Sequence, residues 1–326
     1  MRPLITVVVP VFNERDNLHR FHQEVSEVMA GLGAYDWEFI FVDDGSRDDS
    51  FRVLEELRGG DPRVFAIRFP RNFGSHVAIA AGIDHCHGDA AVIMAADLQD
   101  PPTLIREFVA RWAEGYAVVW GARSGRDDGA IRGWAMNRFY ALVRRFAIPT
   151  YPKGGTGSFC LIARPAIDAF RQCAERNRLT FGLIAWAGFR ETQVEYHRPQ
   201  RLVGTSSWTT GKMVKAAIDT FVSFSFLPIR LISAIGLAVS ALSFLFGFYV
   251  LINKLFFGTR VDGWTSVMLA VVVLGGVQLT MVGVLGEYLW RILDEARGRP
   301  LYVVERNLGL TPAAGAVPAA PVTISR

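Results

Sequence analysis

The chain reads as an α/β protein built on a doubly wound, mostly parallel, Rossmann-like sheet, followed by an interfacial helix and a two-helix transmembrane hairpin. Three observations predict this. Short apolar, β-branched runs alternate with helical periodicities through the first 120 residues, the pattern of strands joined by crossover helices. Conspicuous polar residues follow the apolar runs, as they do where parallel strands end on one edge of an open sheet. Two later stretches, 231–252 and 264–286, hold no charged residue, and each is long enough to cross a hydrocarbon core of about 30 Å.

Residues 4–11 form a β-branched run closed by Pro10 and Asn13, after which Leu18, Phe21, Val25, Val28 and Leu32 recur at helical spacing, so strand gives way to helix. The alternation repeats: 37–42 with a helix around Phe51, Leu54 and Leu57, 64–69 with a helix at 77–83, 90–94 with a helix at 103–113, and a strand at 116–120. Asn13 and Glu14 follow the first strand, Asp43-Asp44-Gly45-Ser46 the second, Arg71-Asn72 the third and Asp97 the fourth. A solvated loop accounts for any one of them, and less well for four. The fourth lies in Ala95-Ala96-Asp97-Leu98-Gln99-Asp100-Pro101-Pro102, where Asp97 and Gln99 share one side of an extended chain. Together they are hard oxygen ligands for a Mg²⁺ or Mn²⁺ that also holds phosphate. Taken alone, the motif equally allows Asp97 to cap the next helix.

Residues 131–146 form an amphipathic helix with a stripe of Ile131, Ala135, Phe139, Leu142 and Phe146, and Arg138 falls within it. An arginine there either snorkels to water or awaits an anion. Gly154-Gly155-Thr156-Gly157-Ser158 is either a close-approach loop for a ligand or a flexible connector. Residues 209–226 place Met213, Ala217, Ile218, Phe221 and Phe224 on one side with Lys212 and Lys215 beside them, a helix of the membrane interface. Basic residues before and after the apolar pair (Lys212, Lys215, Arg230; Arg291, Arg297, Arg299) outnumber those in the 253–263 loop, so both ends are expected in the cytoplasm. Gly236/Ser240 and Ser243/Gly247 permit close helix packing. The expected divisions are 1–208 for the sheet domain, 209–228 for the interfacial helix, 229–290 for the hairpin, 291–310 for a cytoplasmic segment and 311–326 for an Ala/Pro-rich disordered tail.

Hydrophobic residues make up 51% of the chain and charged residues 20%, too apolar for an ordinary soluble domain. A net charge of +4 without Lys/Arg runs interleaved with aromatics suits a membrane surface and not a nucleic acid. Cys86, Cys160 and Cys173 have no ligand or disulfide spacing, which fits a reducing compartment. The strand-like run begins at once, so no secretory signal is expected.

Val8-Val9-Pro10-Val11-Phe12-Asn13-Glu14, Phe41-Val42-Asp43-Asp44-Gly45-Ser46, Asn72-Phe73-Gly74 and Ala96-Asp97-Leu98-Gln99-Asp100-Pro101-Pro102 resemble, in order, the motifs of the family 2 glycosyltransferases with a GT-A fold. Ser223-Phe224-Ser225 before Pro228-Ile229-Arg230, and Gly286-Glu287-Tyr288-Leu289 running into Gly298-Arg299-Pro300-Leu301-Tyr302, are similar to the polyisoprenyl-phosphate branch, which includes bactoprenol glucosyltransferases and dolichol-phosphate mannose synthase. The resemblance spans Thr6 to about Tyr302 and implies a membrane enzyme that carries sugar from a nucleotide diphosphate, most simply UDP, to a polyisoprenyl phosphate such as undecaprenyl phosphate. It further implies that Pro10, Phe12, Glu14 and Asp43 bind the nucleoside, that Asp97 and Gln99 hold metal and diphosphate, and that Arg123 and Arg138 hold the lipid phosphate. Arg198, Arg201 and Ser206 would close over the diphosphate, and a homo-oligomer, a tetramer, is implied as well. This chain departs from the family at Ala95 and Ser158, where Asp is usual, and at Ser207, where Lys is usual; Lys212, one turn on, is the substitute expected for that lysine. These departures leave a non-catalytic binding or scaffold protein as the alternative.

Overall fold

The computed structural model describes residues 2–124, 130–152, 159–173, 175, 179–197, 224–225, 227–257 and 263–310. The Gly154–Ser158 segment, Arg198, Arg201, Ser206, Lys212, most of the expected interfacial helix and the 311–326 tail lie outside the described residues. By contact the chain divides into Met1–Thr210 with Arg299–Arg326, and Gly211–Gly298.

The first unit holds β1 (Leu4–Val11), β2 (Asp36–Asp43), β3 (Val64–Arg68), β4 (Ala90–Ile93), β5 (Val118–Ser124), β6 (Cys160–Ala163), β7 (Glu191–His197) and β8 (Arg306–Leu308). They form one sheet in the order β7-β5-β6-β4-β1-β2-β3-β8. The strands β4, β1, β2 and β3 run parallel, as does the pair β5 and β7. By contrast β6 is antiparallel to both its neighbours and β8 to β3, so the sheet, expected to be mostly parallel, has antiparallel strands at both flanks. Its helices are α1 (Arg15–Ala30), α2 (Ser50–Gly60), α3 (Ser75–His85), α4 (Ile105–Ala113), α5 (Ala130–Phe146), α6 (Arg164–Gln172) and α7 (Thr180–Trp186), with a 3₁₀ turn at Pro102–Leu104.

The central strands read as unbroken apolar runs because both sheet faces are covered. Along β2, Phe39 and Phe41 join Leu18, Phe21 and Val25 of α1, Phe51 and Leu54 of α2, and Phe108 of α4. The alternate residues Ile40 and Val42 face the other way, toward Ala78 and Ala81 of α3 and Leu310 near the chain's end. This α3 face is made of small residues for a reason: a Cβ on Gly82 would lie 2.2 Å from Val8 Cγ1. The helix rests directly on β1.

The C-terminal end of the stripe expected on α5 is not buried. Leu142 is 47% and Phe146 39% exposed, whereas Val143 is fully buried and Tyr140 nearly so. Arg138 lies among exposed positions. This helix carries apolar residues on more than one side, and periodicity cannot tell which of them meets the sheet.

The second unit contains α8 (Leu227–Phe257, 31 residues) and α9 (Trp264–Ala296, 33 residues). At 1.5 Å per residue each is about 45–50 Å long. A Cβ on Gly236 would lie 2.4 Å from Met281 Cε, so the glycine permits this close approach of α8 to α9. Leu237, Phe256 and Leu279 are among the large apolar side chains left exposed. Among the described residues Val273–Ala296 is the one stretch long and apolar enough to cross a membrane by length and composition, and Ile229–Val239 is a shorter apolar helix.

Candidate functional site

Parallel pairing puts the carboxyl ends of β1, β2 and β3 side by side, with Val11 opposite Asp43 and Asp43 opposite Arg68. The loops that follow are tied to one another by side chains. Asn13 N–H donates to Ser46 Oγ at 3.0 Å, Arg47 N–H donates to Asn13 Oδ1 at 2.8 Å, and Glu14 N–H donates to Ser50 Oγ at 3.0 Å. Asp44 spans the next gap: its two carboxylate oxygens accept the N–H groups of Phe73 at 2.6 Å and Gly74 at 2.9 Å. Three strand-end motifs, spread over some sixty residues, thus form one cluster. Two non-glycine residues that follow the strands take left-handed backbone, Asn13 after β1 with φ 56° and Leu98 after β4 with φ 52°, a cost that folded chains concentrate at functional sites.

Asp43 is fully buried. Its Oδ1 accepts the Ser46 N–H at 2.9 Å, and Oδ2 lies 3.5 Å from Arg68 Nε. Neither Asp43 Oδ2 nor Arg68 Nε has a hydrogen-bond partner among the described residues. Burial raises the Asp43 carboxyl above the ordinary range, against the opposing pull of the Ser46 donors and the Arg68 charge. The neighbouring Asp44 is raised for the same reason, opposed by its two backbone donors. Phe12 is exposed at the rim and Pro10 half-buried beside it, while Glu14 accepts from the Asn17 amide at 2.6 Å.

Asp97 and Gln99 lie beyond β4, whose end is joined to β1 by Met94 N–H donating to the Val8 carbonyl at 3.2 Å. Both are half-buried. The chain here is not extended, as the spacing argument assumed. It turns at Leu98, and Gln99 N–H folds back onto Asp97 Oδ1 at 3.2 Å. The capping alternative also falls, because the helical turn that follows starts at Pro102 with Pro101 in the cap position. The next carboxylate, Asp100, is fully buried and accepts the O–H of Tyr196 from β7. Asp97 and Gln99 together supply oxygen donors only, a set that fits a hard divalent cation completed by phosphate oxygens and water. Among the described residues no group of three or more His, Cys, Asp or Glu is placed to hold a metal by itself.

Arg123 lies in β5 opposite Tyr196 in register, and only its backbone is described. The motifs that the sequence singled out therefore meet for Pro10, Phe12, Glu14 and Asp43. Asp97 and Gln99 sit at the end of the adjacent strand, and Arg138 is on the exposed side of α5. Sequence reasoning passed over Arg68, although a charge ending the apolar run Val64–Ile67 carries the same signal as Asp43. It also passed over Tyr196 and the bridging role of Asp44.

The profile of Glycosyl transferase family 2 matches residues 6–170. The chain is 40% identical to an uncharacterized glycosyltransferase, YkcC, of Bacillus subtilis (strain 168), over 94% of this chain and 94% of that one. It is 36% identical to the bactoprenol glucosyl transferase of Shigella phage SfII, over 93% of this chain and 98% of that protein. Among solved structures, mannosyl-3-phosphoglycerate synthase from Rubrobacter xylanophilus is similar over 70% of this chain and 74% of that one, at 17% identity and a TM-score of 0.46.

Proposed function

The chain belongs to glycosyl transferase family 2, and from that premise we propose that it moves a sugar from a UDP-linked donor to a polyisoprenyl phosphate at the cytoplasmic face of a membrane. The observation that carries the reading is the joined cluster of strand-end loops around a fully buried Asp43 with one oxygen open. The acceptor class is supported by the phage SfII relative, a bactoprenol glucosyl transferase. The membrane is supported by the apolar stretch in α9 and the exposed apolar side chains of α8 and α9; we take the two helices as spanning segments with both ends cytoplasmic.

In this reading Asp43 accepts from the base while Pro10, Phe12 and Glu14 bound the nucleoside. Asp97 and Gln99 hold a Mg²⁺ or Mn²⁺, which when bound neutralises charge on the departing diphosphate. Arg198, Arg201, Ser206 and Lys212 close over that diphosphate. Arg123 and Arg138 hold the acceptor phosphate against the anomeric carbon. A lipid monophosphate has its second pKa near about 6 and is largely a dianion at neutral pH, so it attacks without a general base. The protein's task is then to bring two anions together and orient them in line, and a single displacement inverts the anomeric configuration.

The test uses the purified full chain in detergent with labelled UDP-sugars, Mg²⁺ and undecaprenyl phosphate. A lipid-linked sugar that disappears on chelation is expected. Nucleotide binding without product from any donor would instead establish a scaffold. Asp97→Ala should abolish metal-dependent donor binding, and unchanged activity in that variant would remove Asp97 from the metal site.

A further inference from the structure

The last strand of the sheet comes from the far end of the chain. Arg306 of β8 stands opposite Arg68 of β3, and Glu305 N–H donates to the Arg68 carbonyl at 2.7 Å. Tyr302 stacks on Phe69 with ring centroids 5.2 Å apart, and Leu310 is buried against Ile40, Val42 and Ile67. This anchorage brings the Glu305 carboxylate to 3.5 Å from Arg68 Nε. The same Nε is 3.5 Å from Asp43 Oδ2. Arg68 thus stands between two carboxylates, one fully buried and one about half exposed, and its Nη2 is held by the Ser46 carbonyl at 3.1 Å.

Neither 3.5 Å separation is a hydrogen bond, and both Asp43 Oδ2 and Arg68 Nε are buried without a hydrogen-bond partner among the described residues. An open acceptor beside an open donor is costly to the empty protein. A nucleobase edge, which sets an N–H next to a carbonyl or ring nitrogen, offers the complement of that pair. We propose that Glu305 is a positioning residue of the nucleotide site: by attracting Arg68 from the strand's outer side, it holds the guanidinium off Asp43 and leaves both atoms open to the base. The inference rests on the nucleoside-binding role given to Asp43 above. Its physical ground is the preference of arginine for a bidentate, hydrogen-bonded carboxylate. With two carboxylates at equal distance the guanidinium is shared, and with Glu305 neutralised it closes on Asp43. The base must then break a hydrogen-bonded pair before it can bind.

Glu305→Gln in the full chain tests this, since Glu305 is half-exposed and lies just before the edge strand, where an isosteric amide is tolerated. Titration calorimetry with UDP, GDP and inorganic pyrophosphate is run beside thermal melting and steady-state kinetics. For whichever nucleotide the wild type binds, affinity should fall roughly threefold to tenfold. Pyrophosphate affinity, melting temperature and kcat should stay unchanged while donor KM rises. Glu305→Asp should restore part of the loss, and in an Arg68→Gln background Glu305→Gln should have no further effect. Wild-type nucleotide affinity in Glu305→Gln, equal weakening of nucleotide and pyrophosphate, or a full additional loss in the Arg68→Gln background would each overturn the proposal. A wild type that binds neither UDP nor GDP refutes the donor site itself, a different failure.

Discussion

Gly45→Ala puts the joined loops under direct test. Gly45 has φ 71°, a region where an L-residue costs about 1–2 kcal/mol. An added Cβ would also lie 2.5 Å from the Arg71 carbonyl carbon, 2.8 Å from Arg71 Cα and 2.9 Å from Asn72 N. All three are backbone atoms, so no rotamer change relieves the clash, and such overpacking costs a further ~1–3 kcal/mol. Together the loss is about 2–5 kcal/mol, a large share of a typical domain's stability, and corresponds to a melting decrease of roughly 5–15 °C. The loop at 71–74 must retreat by about 1 Å, and a misplacement of that size at a site can cost about 10²-fold in turnover. Because Phe73 and Gly74 are held by Asp44 next to Asp43, donor KM should rise while acceptor KM does not. The assay is thermal melting of the full chain in detergent with kinetics in both substrates. Gly59→Ala is the control: it lies in α2 with nothing within 4 Å of its added Cβ, and should hold or raise the melting temperature. Gly45→Ala with wild-type melting and donor KM would show that the two loops are not mutually braced.

Three further outcomes are expected. Nucleotide affinity should fall on acidification at a pH above the ordinary aspartate range. Burial raises Asp43, so the open oxygen gains its proton early, and affinity that tracks an unshifted carboxylate would contradict this. The sign for stability is opposite: a raised carboxyl contributes most below its unfolded value and loses that contribution as pH rises through its folded value. Tyr196→Phe removes a donor from the fully buried Asp100 and should cost about 1–3 kcal/mol, read as a lower melting temperature, with a rise in donor KM because the loop bearing Asp97 is loosened. Arg138→Ala, on an exposed position of α5, should raise the KM for polyisoprenyl phosphate with melting and donor KM unchanged; an effect confined to the donor would place Arg138 elsewhere.

The four parallel strands and their helices were legible because each strand is buried on both faces and announces itself as an apolar run ended by polar residues. β8, with only Arg306–Leu308, is too short for a pattern, and the places of β6 and β8 are set by antiparallel partners far away in sequence. The strand-end polar residues were legible in the sequence, and the bonds that join them were not. Asp44 is visible in its motif, but nothing local says that it holds two N–H groups 29 and 30 residues away. Leu98 carries no sign of a left-handed backbone, which is why the side-chain alternation assumed at Asp97 and Gln99 failed.

The sheet unit is discontinuous, since residues 211–298 interrupt it before β8 returns to β3. β3 would otherwise present an unpaired edge, which proteins cover or blunt. The covering strand is at the same time the one that delivers Glu305 to Arg68 and buries Leu310 beneath the strand that ends in Asp43. A chain cut off after residue 210 would therefore lose more than its apolar helices: it would expose a strand edge and leave Arg68 facing Asp43 alone. The apolar helices are an insertion within the sheet unit, and that unit is complete only when the chain has come back from them.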